Sequence, residues 1–311
     1  MFDRRKGHTS PMKDTTTKSW VPGFIALGVT WGSSFLFIKW GLISLTPIGV
    51  AFFRGFIGGL TLLVYCLVNR TPLPKRASEW GHLTIVALLI NSLPGYLFAI
   101  GETHVSSVVA GLLNATTSLM TVLVISVGFR EQKVNNNQLI GVVIGFVGIV
   151  LVTGVFNDSQ GSDWKGYVAL LIATFSYGCA FPYSKKFVST MSYPASSLAA
   201  AQVSCSTLLL LPFTLLSHPL HAPWTTKSAI GMVALGSIGT GFAYIWNFRN
   251  IRLAGSTIAS TVTYMTPVVA TVLGILFLKE PFKVSQIVGG ILVLLSAALV
   301  QKRLVLIGKE R

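Results

Sequence analysis

The feature that most constrains this chain is a succession of apolar runs, each long enough to cross a lipid bilayer. Ten stand out, at roughly 20–39, 46–68, 81–101, 106–129, 137–156, 166–184, 194–216, 228–248, 256–278 and 284–301. A membrane-spanning helix needs about 20 mostly apolar residues. Barrel strands alternate apolar and polar side chains over about ten residues, and a run such as Leu139 to Phe156 does not alternate. Only 11% of the 311 residues are charged, against 52% hydrophobic. Soluble proteins carry roughly 25% charged residues, so a single soluble globule is ruled out. A disordered chain is excluded too, because such chains are poor in apolar residues. The expected fold is an all-α integral membrane protein of ten transmembrane helices. Its short loops leave no room for a soluble catalytic domain.

The net charge of +15 is unevenly spread. With ten crossings both termini share a side. Eighteen Lys and Arg fall on that side, five fall on the other, and Arg54 lies within a span. The positive-inside rule then puts both termini in the cytoplasm. Residues 1–19 read as a cytoplasmic tail. They do not read as a cleaved leader, since no small-residue cleavage site follows the first apolar run. The basic charge is accounted for by topology and by anionic lipid headgroups. No basic segment interleaved with aromatics suggests nucleic-acid binding. Cys66, Cys179 and Cys205 all sit in apolar runs without metal-ligand spacing, so neither a disulfide framework nor a metal site is expected.

The halves of the chain resemble each other. Arg130-Glu131 aligns with Lys279-Glu280, Gly141 with Gly289, Ala110 with Ala259 and Asn114 with Thr263. Gly32 to Lys39 aligns loosely with Gly178 to Lys185. Two units follow, 20–156 and 165–302, joined by a linker at 157–164 and trailed by a tail at 303–311. Each unit has five spans, an odd number, so the second sits upside down relative to the first. Inverted repeats are an architecture of secondary transporters, whose central site faces either side by alternating access.

Several segments carry a family resemblance: WGSSFLFIKWG at 31–41, LTPIGVAFFRG at 45–55, and TYMTPVVATVLGILFLKEPF at 263–282. With the units around Glu131 and Glu280, they make the chain resemble the drug/metabolite transporter superfamily, of the EamA type with two tandem five-helix domains. The resemblance covers roughly residues 20–302. It implies a ten-helix fold and metabolite movement across the cytoplasmic membrane, with no cofactor. Ser118 departs from the pattern by standing where the second copy has Pro267, so the fourth and ninth spans need not bend alike.

Polar groups inside lipid are costly and should face a bundle interior or cavity. Asn114, Thr117, Ser118 and Thr121 share a face of the fourth span, and Thr263, Tyr264 and Pro267 fall on the ninth. Asn91, Gly95 and Phe98 in the third span match Thr240, Tyr244 and Asn247 in the eighth. The candidate substrate-binding residues are Asn91, Phe98, Asn114, Thr117, Tyr177, Tyr244, Asn247, Thr263 and Tyr264. Trp31, Phe35, Tyr96, Phe181, Tyr183 and Trp246 add flat walls suited to an amphipathic solute. The same polar groups could instead serve as interhelical hydrogen bonds. Pro94, Pro182 and Pro267 are candidate hinges, since each removes a helix hydrogen bond. Arg54 lies near 12 Å deep at 1.5 Å per residue. It could snorkel to the interface, bond backbone carbonyls, or hold a substrate carboxylate. The glycine pairs of the fifth span read as packing, in a monomer or a homodimer.

No acidic residue is expected in mid-membrane. Facilitated transport or exchange of a small metabolite is therefore expected over proton coupling, with Glu102 and His104 the remaining candidates for a proton site. An intramembrane enzyme would need a nucleophile, a base or metal ligands in the spans, and none is visible. A channel would show charged rings or a filter loop. The expected activity is export of an amino acid or similar solute. A nucleotide-sugar or drug carrier of the same superfamily is the alternative.

Overall fold

A computed structural model describes residues 20–126, 136–153, 164–281 and 283–300. The terminal tails, the linker and Glu131 lie outside the described residues. Those described are almost entirely helical, and their only β contact is an isolated bridge between Leu45 and Leu220. Seven helices are long and apolar enough to cross a membrane. They are α1 (Val21–Gly41), α2 (Pro47–Val68), α3 (Ala77–His104), α4 (Ser107–Val124), α6 (Trp164–Val188), α7 (Ala195–Leu216) and α8 (Thr226–Leu278). Two further apolar helices are α5 (Asn136–Thr153) and α9 (Val284–Val300). The protein is a multi-pass membrane protein.

The eighth and ninth apolar runs are expected as separate helices. They form the two arms of α8, whose 53 residues are not one continuous helix. Gly255 bends it into two arms, with φ at 86°. Only glycine adopts that backbone region without strain.

Helix ends follow local chemistry. Thr46 accepts the Gly49 amide and Pro47 occupies the first turn of α2, where a proline lacks nothing the helix needs. Ser106 accepts the Val109 amide at the start of α4. The α1–α2 and α7–α8 loops are stitched together. The Thr46 amide donates to Pro219 O at 2.9 Å, and the Ser44 and Ser228 hydroxyls lie 2.9 Å apart. These loops mark one end of the bundle, the Lys39 end. Tyr193, Arg252 and Lys185 gather at the other, where Arg252 donates to the Ser189, Met191 and Tyr193 carbonyls.

α2 packs on α7 and on the first arm of α8, α3 packs on α6, and α1 packs on the second arm of α8. α5 packs on α9. A Cβ on Gly148 would lie 2.8 Å from the Gly289 carbonyl oxygen, and one on Gly289 would lie 2.7 Å from that of Gly148. This crossing is close because both residues lack a side chain. The glycines of the fifth span thus pack within the chain.

Two pairs of helical irregularities fall at positions that the alignment of the two sequence halves matches. α3 widens to a π-helix at Leu88–Ser92 and α8 does so at Ala234–Phe242. α4 breaks at Ala115 and Thr116, while α8 tightens to a 3-10 turn at Thr261–Tyr264. Ser118 and Pro267 both lie just beyond these irregular turns. In α4, Thr116 donates to Leu113 O at 2.7 Å and Ser118 to Ala115 O at 3.2 Å. These hydroxyls compete for backbone carbonyls and loosen the turn without a proline.

Candidate functional site

The central cavity lies between α1, α2, α3, α4, α6 and both arms of α8. Of the sequence candidates, Phe98, Asn114, Tyr177, Tyr244, Thr263 and Arg54 line it together. Trp31, Ser34, Phe35, Ile38 and Phe181 complete the wall. Ser34 and Ile38 are missed by sequence reasoning, because α1 is apolar all round and offers no polar stripe to mark its inner face. Their signal is only position, one turn from Trp31 and Phe35 on the same side of the helix.

Two aromatic groups bound the cavity. Toward the Lys39 end, the Phe98 ring packs edge-on against Phe35 at 5.7 Å and stacks with Tyr177 at 5.8 Å. Toward the Lys185 end, Trp31 meets Tyr244 edge-on at 5.9 Å. The Tyr244 hydroxyl donates to the Ile90 carbonyl, 3.0 Å away in the widened turn of α3. A π-helical turn leaves its carbonyls poorly served, so the phenol satisfies one of them from across the bundle. The cavity is about 30 Å³, room for about two water molecules.

The polar wall has three parts. Asn114 donates to the Thr266 hydroxyl at 2.9 Å, tying α4 to the second arm of α8. Thr263 donates to Ser260 O at 2.8 Å. Arg54 is only 7% exposed, and its Nε donates to the Thr240 hydroxyl at 3.2 Å. Thr240 in turn donates to Leu235 O at 2.9 Å, closing the widened turn of α8. Among the described residues no carboxylate pairs with Arg54. A buried guanidinium without a counter-ion is costly in a low-dielectric interior, and here it borders the cavity.

The other candidates lie elsewhere. Asn91 turns toward α7, where Gln202 donates to its Oδ1, and its Nδ2 has no partner among the described residues. Asn247 is buried one turn from Tyr244, with its Oδ1 unpartnered among the described residues. Thr117 is buried beside Asn114, 3.5 Å from its Oδ1, too far for a strong bond. Tyr264 packs against the hydrophobic core. Pro94 follows the widened turn of α3, Pro182 precedes the π-helical end of α6, and Pro267 follows the 3-10 turn of α8. All three prolines thus sit where the helix is already irregular.

Glu102 stands at the end of α3, as expected of a remaining proton-site candidate. It is 1% exposed, and neither carboxylate oxygen has a hydrogen-bond partner among the described residues. Chain position put it at the end of α3, but neighbouring helices cover that end. Glu280, by contrast, is fully used. It accepts from the Ser107 amide at 2.9 Å, the Ser107 hydroxyl at 2.8 Å and the Val108 amide at 3.1 Å, capping α4. No group of three or more His, Cys, Asp or Glu gathers among the described residues.

The described residues thus form a multi-helix membrane bundle around a small aromatic and polar cavity. The profile of the EamA-like transporter family matches residues 18–154 and again 164–301. The chain belongs to that family. It is 28% identical over 255 residues to the uncharacterized inner membrane transporter YedA of Escherichia coli, covering 80% of this chain and 79% of that protein. It is 26% identical to the uncharacterized transporter YoaV of Bacillus subtilis, over 87% of this chain and 92% of that one. Protein PecM of Dickeya dadantii is 25% identical, over 87% and 88%. One solved crystal structure, 18% identical, covers 90% of this chain and 94% of its own, with a TM-score of 0.64. At that identity the likeness speaks for the fold alone.

Proposed function

We propose that this membrane transporter is a secondary carrier that moves a small amphipathic metabolite, of amino-acid type, out across the cytoplasmic membrane by alternating access. The reading has ten crossings, counting the two arms of α8 separately together with α5 and α9. Each arm of α8, on either side of Gly255, is long enough for a crossing of about 20 residues. The crossings form two inverted five-helix repeats, 20–156 and 165–302, with both termini cytoplasmic. The Lys185 end then faces the cytoplasm and the Lys39 end faces outward. The paired widened turns in α3 and α8, and the paired breaks in α4 and α8, support the repeat.

One observation carries the proposal. Arg54, Phe98, Asn114, Tyr177, Tyr244 and Thr263, drawn from both halves, meet at one cavity. Arg54 supplies a site for a carboxylate, the amide and hydroxyls orient an ammonium or side-chain group, and the aromatic pairs take an apolar body. Aromatic pairs flank the cavity toward each end, and on this reading transport parts them in turn. Counterflow of a panel of amino acids, sugars and cationic drugs, with purified protein in liposomes, tests this. Saturable counterflow of one amino-acid class is expected. Flux that neither saturates nor shows counterflow would indicate a channel instead.

A further inference from the structure

Two lysines at opposite ends of the bundle make the same unusual contact. Lys39, at the end of α1, donates from Nζ to the backbone carbonyls of Glu102 and Val105, the latter at 2.9 Å. Those carbonyls close the last turn of α3, where a helix has no internal donors left and carries its negative dipole end. Lys185, at the end of α6, donates to the Ile251 carbonyl at 3.4 Å, in the last turn of the first arm of α8 before Gly255. The repeat aligns Lys39 with Lys185. The register that pairs Ala110 with Ala259 also pairs Glu102 with Ile251 and Val105 with Ala254. Among the described residues neither ammonium forms an ion pair.

The equivalence is incomplete in one respect. The Lys39 contact spans two carbonyls, while the Lys185 contact reaches one, at a longer distance. In an inverted-repeat carrier the two units exchange conformations between states. Whatever the first unit does here, the second does in the opposite state.

We infer that Lys39 and Lys185 are paired gate latches, each holding the end of its own unit's gating helix, and that tightening one goes with loosening the other. This rests on the alternating-access reading above. In the conformation seen here the Lys39 latch is closed. In the reverse state Lys185 is expected to take both the Ile251 and Ala254 carbonyls while Lys39 gives up one of its two. The ammonium suits the task, since a flexible stem lets it reach one carbonyl or two without moving the helix that carries it.

The test is thiol access to the cavity. Ser34→Cys, in a full-length background whose three native cysteines are alanine, places a reporter in the cavity wall. An impermeant thiosulfonate reagent is applied to sealed membrane vesicles of each orientation, and the labelling rates from the two sides are compared. Lys39→Met should raise the ratio of Lys39-side to Lys185-side labelling about tenfold, the shift expected for loss of a charge-assisted bond. Lys185→Met should move the ratio the opposite way, and the double variant should return it near the parent. Lysines that merely stabilise the fold would not produce opposite shifts. Where a methionine variant does not purify, Lys39→Gln and Lys185→Gln keep a neutral donor and carry the same signs, at about threefold. Shifts in the same direction, or a ratio that neither lysine moves by more than about twofold, overturn the latches. A parent reporter that reacts from one side only removes alternating access itself, and the latches with it. A parent that reacts from both sides but ignores both lysines removes the latches alone.

Discussion

The hydroxyl of Tyr244, on the first arm of α8, closes on the backbone carbonyl of Ile90 in the widened turn of α3, 3.0 Å away. A cavity-lining ring is thereby fastened to the backbone of a facing helix. Tyr244→Phe keeps the ring and drops the bond, leaving a buried carbonyl bare. The expected cost is about 1–2 kcal/mol of stability, read as a lowered melting temperature in detergent. Transport should fall further in Tyr244→Ala, which also removes the wall beside Trp31. Equal kinetics in Tyr244→Ala and the parent would remove this residue from the site.

Arg54 separates a charge requirement from a shape requirement. If it holds a substrate carboxylate, Arg54→Gln should raise KM for an amino acid by about ten- to hundredfold. Arg54→Lys should fall between the two, since an ammonium keeps the charge without the planar fork. Concentration-dependent counterflow with each variant measures this. A purely structural arginine would lower the melting temperature in both variants and leave KM alone.

The crossing of α5 and α9 predicts intolerance of bulk. Gly148→Leu or Gly289→Leu forces the two backbones apart and should cost about 1–3 kcal/mol, the range for overpacked contacts. The pair is not additive, because either substitution already opens the same crossing. Thermal unfolding of the single and double variants checks both statements.

Glu102 tests the coupling mode. Facilitated transport predicts that uptake of a zwitterionic solute into liposomes is unchanged by an imposed pH gradient. If a gradient does drive uptake and Glu102→Gln abolishes that drive with counterflow retained, Glu102 is the coupling group and the facilitated reading falls. Stopped uptake assays with and without the gradient, on parent and variant, decide between the two.

Much of this architecture could be read from residue order, because a bilayer imposes length and polarity on every crossing. Phe98, Asn114, Tyr177, Tyr244 and Thr263 were visible for the same reason: aromatic, amide and hydroxyl groups in lipid need somewhere to face. What escaped is tertiary. Asn91 and Asn247 look equivalent to cavity residues in any helical projection, yet Asn91 is drawn off by Gln202 on α7, a neighbour no periodicity reveals. The break in α4 has no proline to announce it and depends on hydroxyls of Thr116 and Ser118 choosing carbonyls. Glu102 is an end residue in sequence and fold alike, and only the helices around it show that it is buried. The boundary between the eighth and ninth runs, by contrast, was legible, and Gly255 marks it in the backbone.

The small size of the central cavity has a consequence for the cell that houses the protein. Room for about two water molecules is too little for a continuous column of water across a bilayer core about 30 Å thick, and aromatic rings flank it toward each end. A low resting leak of protons and hydrated ions is therefore expected, read in liposomes with a pH-sensitive dye. The voltage stored across the membrane is insulated from the protein between turnovers, and many copies can sit in the bilayer without draining it.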